Sequence, residues 1–183
     1  MRLSTLMFIV LALSPSSQIR ADVVAKSATG FVSKHVLTIS APRTRVFHAL
    51  TAEVGRWWNP EHSYSGVAAN FSIDARAGGC FCEHLEDGSV AHMTVVFIER
   101  DSVLRMIGGL GPLQAMAVNG SMTFTLAQTD NGATRLEYEY AVGGYAPEGL
   151  EGIAGPVDGV QLEQLRRLQR FVETGNPAAP TRP

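Results

Sequence analysis

Gly155-Pro156-Val157-Asp158-Gly159-Val160-Gln161-Leu162-Glu163-Gln164-Leu165-Arg166-Arg167-Leu168-Gln169-Arg170-Phe171-Val172-Glu173-Thr174-Gly175 reads as one long amphipathic helix. At about 100° per residue, Val157, Val160, Leu165, Leu168, Phe171 and Val172 share a face. Pro156 suits a first helical position, Gly175 suits a C-terminal stop, and Pro177 lies just beyond. Gln161 and Gln164 fall in the middle of the apolar face. A buried amide needs hydrogen-bond partners, so a dry core is a poor place for two of them. A helix that closes over a ligand cavity accommodates them. The expectation is a container with the C-terminal helix as its lid.

The segments before that helix supply something for it to cover. Phe31 to Ser40 alternates as a first strand, and Ala41-Pro42 opens a short helix with Val46, Phe47, Ala49 and Leu50 on its apolar side. A second short helix from about Thr51 to Trp58 is stopped by Asn59-Pro60. From Val67 on the chain is mostly β. Strands are expected at Val67 to Ile73, Cys80 to Leu85, Val90 to Ile98, Ser102 to Ile107, Ser121 to Ala127 and Thr134 to Val142. Asp87-Gly88 and Asn131-Gly132 are hairpin-turn signals. In the last strand Leu136, Tyr138, Tyr140 and Val142 face one way while Arg135, Glu137 and Glu139 face the other, so one sheet face is buried and one is wet. The fold class is α+β, with a curved antiparallel sheet of about six or seven strands. Two short helices follow the first strand, and one long C-terminal helix covers a cavity.

The chain has 183 residues, 45% of them hydrophobic and 17% charged, enough for one domain with its own core. The formal net charge is −2 and no basic stripe is present, which argues against nucleic acid as a partner. Arg2 followed by the apolar run Leu3 to Leu13, the break at Ser14-Pro15 and the small residue Ala21 read as a signal peptide over residues 1–21. The expected product is exported, periplasmic or secreted, with no membrane span once the signal is removed. Residues 22–30 read as a polar leader, 31–175 as the domain, and 176–183 as a disordered tail. An oxidising compartment would allow Cys80 and Cys82 to pair. Extended spacing sets their Cα atoms about 6.6 Å apart, near the upper limit for a disulfide. A strained disulfide and two free thiols both stay open.

Several motifs, in order, resemble the START/pollen-allergen-like helix-grip superfamily (SRPBCC), and within it the AHSA-type branch of heat-shock ATPase activator homologues. They are Val46-Phe47-His48-Ala49-Leu50-Thr51, Trp57-Trp58-Asn59-Pro60, Gly78-Gly79-Cys80-Phe81-Cys82-Glu83, Gly109-Leu110-Gly111-Pro112-Leu113-Gln114, Thr134-Arg135-Leu136 and the terminal helix. The resemblance covers residues 31–175. It implies a cavity between sheet and long helix that takes apolar small molecules. Lipid carriers, cyclases and co-chaperones share this fold, so the fold alone does not choose a function.

If Asp87-Gly88 forms the hairpin loop, Glu86 faces Ser89, Glu83 faces His92, and Phe81 faces Thr94, all on one side. A Glu83–His92 pair lining a cavity is the most reactive combination in the chain. The carboxylate would orient the imidazole and raise its pKa for acid–base work or for holding a polar ligand head. Cys80, Cys82 and His84 on the other side spread along about 13 Å, too far for one ion to gather, so no metal is expected. No cofactor fingerprint is present. Trp57 and Trp58 suggest an aromatic wall, and the buried hydroxyls of Tyr138 and Tyr140 need partners.

The function expected from this reading is binding of an apolar or amphipathic small molecule. Its site would comprise Trp57, Trp58, Phe81, Glu83, His92, Thr94, Tyr138, Tyr140, Gln161 and Gln164. A cyclase- or hydrolase-type enzyme using Glu83 and His92 is one alternative. A co-chaperone-like interaction module is the other, and export would place it away from cytosolic partners.

Overall fold

The computed structural model describes residues 22–179. The stretch read as a signal peptide, 1–21, lies outside them, as do the last four residues.

The elements run in the expected order. Strands β1 (Asp22–Ser27) and β2 (Gly30–Ile39) come first, then helices α1 (Arg43–Ala52) and α2 (Val54–Trp57). Six further strands follow: β3 (Phe71–Ile73), β4 (Cys80–Leu85), β5 (Gly88–Glu99), β6 (Val103–Gly108), β7 (Ala117–Gln128) and β8 (Thr134–Tyr145). Helix α3 (Glu151–Thr174) ends the fold. The strands form one open antiparallel sheet of eight, in the order β1-β2-β8-β7-β6-β5-β4-β3.

Alternation decides which side chains go in. On β8, Leu136, Tyr138, Tyr140 and Val142 are buried while Arg135, Glu137 and Glu139 are exposed. Met122, Phe124 and Leu126 of β7 and Leu104 and Met106 of β6 extend the same apolar face. Helix α3 lies across that face, packing on β1, β2, α1 and α2. Its 24 residues span about 36 Å at 1.5 Å per residue. Gly175 closes it in the left-handed region at φ 78°, donating its N–H to the Phe171 carbonyl.

Five expectations need correction. The leader is part of the sheet, because β1 pairs along β2 and α3 packs on it, so the sheet has eight strands rather than six or seven. Only the end of the Val67 to Ile73 stretch is strand, since Ala68–Asn70 forms a 3₁₀ turn against α2. Helix α3 starts at Glu151, with Pro156 inside its second turn, where the missing N–H costs one backbone bond. The first residues of the tail fold back, Arg170 Nε donating to the Pro177 carbonyl at 2.8 Å. Finally, the β4–β5 loop is Glu86-Asp87, because Leu85 pairs with Gly88 and Glu83 with Val90.

A β-bulge then resets that register. Cys82 pairs with Ala91 and Phe81 with Met93, which leaves His92 as an extra residue on β5. His92 and Met93 are consecutive yet both buried, 3% and 2% exposed, which regular alternation forbids. Where the register slips, β4 is compressed. The Cα atoms of Cys80 and Cys82 lie 5.3 Å apart, closer than full extension allows, and their sulfurs are bonded.

Candidate functional site

The bulge turns His92 inward, where its Nε2 meets Glu83 Oε2 at 3.1 Å. Neither residue has appreciable solvent access. Glu83 also accepts from the backbone amides of Tyr64 at 3.1 Å and Ser65 at 2.5 Å. Burial by itself would raise the Glu83 carboxyl. The hydrogen bonds from Ser65, Tyr64 and His92 outweigh it and hold the group below its usual 4.5. Glu83 is therefore a carboxylate that both orients the imidazole and ties the segment after Pro60 to the sheet.

For His92 the balance falls the other way. Burial pulls the imidazole below 6.5 despite the opposing influence of Glu83, which corrects the expected rise. The ring is neutral at pH 7. With Nε2–H donating to Glu83, Nδ1 carries the lone pair. That Nδ1 is screened from bulk water and has no hydrogen-bond partner. An unmet acceptor in such a place costs about 1–3 kcal/mol. The ring is held among aromatic neighbours, with Phe71 at 5.3 Å and Tyr64 at 5.9 Å between centroids, both near parallel.

His92 lines a cavity of about 390 Å³ between α3, the segment after α2 and the loop after β6. Trp58, Tyr64 and Phe71 form an aromatic wall, and Leu110, Val157 and Val160 add aliphatic surface. The Tyr64 hydroxyl donates to the Gly111 carbonyl at 3.1 Å, joining two sides of the cavity. Gln161 also lines the cavity, and its Oε1 accepts from the Tyr138 hydroxyl at 2.8 Å. Tyr138 keeps its proton because burial, with Tyr140 and Asp158 nearby, pushes its pKa well above 10.0. The Gln161 amide nitrogen is therefore the group left to face a ligand.

The expected site residues separate into three groups. Trp58, His92 and Gln161 line the cavity, and Glu83 stands directly behind His92. Trp57, Phe81, Tyr138 and Gln164 instead surround a small void of about 20 Å³ deeper in the core. Trp57 donates its indole N–H to the Ala49 carbonyl at 2.8 Å and serves packing. Gln164 Oε1 accepts from the Asn59 amide at 2.9 Å and so fixes the chain corner after the tryptophans, while its Nε2 is buried without a partner. Tyr140 lies off the cavity as a strut. Its hydroxyl donates to the Gly108 carbonyl at 3.2 Å and accepts from the Leu110 amide at 3.3 Å, and burial raises its pKa to about 12. Thr94 does not belong to the site, because the bulge puts Met93 opposite Phe81 and leaves Thr94 exposed on the outer face.

Sequence reasoning missed Glu61, His62, Ser63 and Tyr64, which line the mouth. No local periodicity marks them, since long-range bonds hold their segment. His62 Nε2 meets Glu163 at 3.1 Å, and Asn59 Nδ2 donates to the same carboxylate at 2.6 Å. It also missed a buried polar cluster under α3. There His35 Nε2 lies 2.9 Å from Asp158, and Ser33 donates to the same carboxylate. Asp158 stands three residues before Gln161 on one helix face, and that spacing was the available signal.

No protein-family model and no curated protein matches the chain. Solved structures share its fold, an antiparallel sheet with a long C-terminal helix. A conserved protein of unknown function from Enterococcus faecalis superposes with a TM-score of 0.59 at 17% identity, covering 85% of this chain and 77% of that one. DynU16, from the dynemicin biosynthetic locus, gives 0.57 at 20% identity over 81% of this chain and 49% of its own. CalU16 from Micromonospora echinospora gives 0.55 at 18% identity over 81% and 78%. At these identities the likeness establishes the fold.

Proposed function

We propose that the protein binds an apolar or amphipathic small molecule in the cavity beneath α3. The observation that carries this reading is a largely apolar cavity of about 390 Å³ into which an otherwise buried polar dyad reaches. Apolar contact supplies most of the affinity, at about 25 cal/mol per Å² before the costs of association. The few polar groups set orientation. Native mass spectrometry of protein purified from its own cells tests the reading. The expected result is a bound small-molecule mass that disappears on denaturation. A bare protein mass in every preparation would contradict it.

One observation favours a second reading, an enzyme of cyclase or hydrolase type. Glu83 and His92 lie within hydrogen-bond reach on the cavity wall, a pairing that a general base uses. In that reading the His92 ring must turn to bring a nitrogen to the cavity before it can take a proton from the bound molecule, and Glu83 stabilises the imidazolium. Turnover that disappears in His92→Gln while ligand binding persists would support it.

We further propose export. The support is the apolar run Leu3 to Leu13 behind Arg2, together with the Cys80–Cys82 disulfide, a bond that persists in oxidising compartments. Placement in the AHSA-type branch rests on the ordered motifs from Val46 to Gln114.

A further inference from the structure

Most polar side chains around the cavity are already engaged or stand in water. At the rim Glu61 is exposed and His62 and Ser63 are half-buried, so water reaches them. His62 Nε2 also meets Glu163, and Ser63 donates to the Pro60 carbonyl and accepts from the Gly66 amide. Tyr64 spends its hydroxyl on the Gly111 carbonyl, and Trp58 its indole N–H on the His62 carbonyl. His92 presents ring carbons, because Nε2–H is committed to Glu83 and Nδ1 has no accessible surface. Gln161 differs. It is 5% exposed and lines the cavity. Its Oε1 is turned to Tyr138, which borders the deeper void and not the cavity. Its Nε2, on the other branch of the amide, has no partner among the described residues and keeps accessible surface. The amide is not free to exchange its ends, since Tyr138 holds its proton and that buried hydroxyl needs an acceptor. The interior side chains thus offer one donor and no acceptor.

We propose that the cavity takes flat, ring-containing molecules whose buried part carries a hydrogen-bond acceptor, such as a carbonyl oxygen or a ring nitrogen, and no donor, and that Tyr138 sets this preference by fixing the Gln161 amide. This deepens the proposed function and rests on the cavity being a binding site. An acceptor placed against Gln161 Nε2 regains the hydrogen bond that it gave up in water. A ligand N–H or O–H buried there loses its water and meets no acceptor, the costlier failure. The rings of Trp58, Tyr64 and Phe71 supply apolar contact to a flat guest of either kind, so the discrimination comes from the amide. Tyr138 touches no ligand and is a positioning residue.

Equilibrium dialysis at pH 8 with three uncharged fused-ring probes tests the proposal: isoquinoline, which only accepts, indole, which only donates, and naphthalene, which does neither. Isoquinoline and indole are similar in size and hydrophobicity, so their difference isolates the hydrogen bond. The expected result is isoquinoline binding at least about fivefold tighter than indole. Indole binding as tightly as isoquinoline, or naphthalene alone being bound, would overturn the preference and leave the container intact. Binding of none of the three would overturn the container as well. In a folded Tyr138→Phe variant the amide can turn, and the gap between isoquinoline and indole should narrow, whereas a merely structural loss would weaken all three probes alike. An unchanged gap in that variant would remove Tyr138 as its cause. Gln161→Met is expected to abolish the gap. The comparison on the unaltered protein decides the ligand class even where a variant does not fold.

Discussion

Glu83 joins the site to the framework. One carboxylate with no solvent access accepts two backbone amides from the Tyr64 segment and orients His92. In Glu83→Gln an amide donor must confront one of those N–H groups. A loss of about 3 kcal/mol is expected, the scale for breaking a buried charged network. Urea denaturation would register it, and hydrogen exchange at the Tyr64 and Ser65 amides should quicken beyond the global change.

Protonation at the same residues sets a pH dependence. His92 and Glu83 both titrate in the folded protein below their ordinary values of 6.5 and 4.5. The unfolded chain therefore binds more protons on acidification, and stability falls with pH. The contribution of His92 is complete above pH 6.5 and declines below it, and that of Glu83 follows below pH 4.5. Tyr140 acts at the opposite end. Its pKa is raised from 10.0 to about 12, so its contribution is lost as pH climbs through that window. Urea midpoints should fall from pH 7 to pH 5 in the wild type, and the change over that range should differ in His92→Phe by the part His92 contributes. A level wild-type profile would contradict the assignment.

Among the elements, the β6–β7 region depends on one missing side chain. Tyr140 lies over Gly120, and a Cβ there would overlap its ring. Gly120→Ala is expected to cost about 2 kcal/mol as overpacking. It should also release the Leu110 amide from the Tyr140 hydroxyl, which faster exchange at Leu110 would report. The disulfide on β4 closes so short a loop that its entropic contribution is under about 2 kcal/mol. The double substitution of Cys80 and Cys82 by Ser is therefore expected to lower the urea midpoint only modestly.

Legibility in the sequence follows the range of the interactions. The alternation of β8, the two short helices and the Gly175 stop are local, and they were readable. The Glu83–His92 contact was also anticipated, through a register that the structure does not have. The expected Asp87-Gly88 loop is displaced, and an extra residue on β5 brings the pair together instead. Nothing local announces that bulge. The mouth residues around Tyr64 were invisible for the same reason, since a carboxylate on β4 and Glu163 on α3 hold their segment. Gln164 was rightly noticed as odd on an apolar face, but its partner proved to be a backbone corner.

At the scale of the molecule, the eighth strand matters most. β1 covers the outer edge of β2 and reaches α3, so the sheet and its covering helix share an anchor. Deleting residues 22–27 exposes the backbone edge of β2 and invites pairing between chains. A lower melting temperature and a rise in oligomer by light scattering are the expected outcomes. The comparisons fit a fold kept at low identity, in which the framework persists and the cavity chemistry is free to differ.

The bulge shows how that difference can arise. Val90, Met93 and Val95 face the interior, and Ala91 and Thr94 face out. Were His92 left out, Val90 to Val95 would alternate without a break, up to a second bulge at Val96. The polar site is thus an addition of one codon to a strand complete without it. Related chains could gain or lose the imidazole in a single step, at the cost of one hydrogen bond to the buried Glu83.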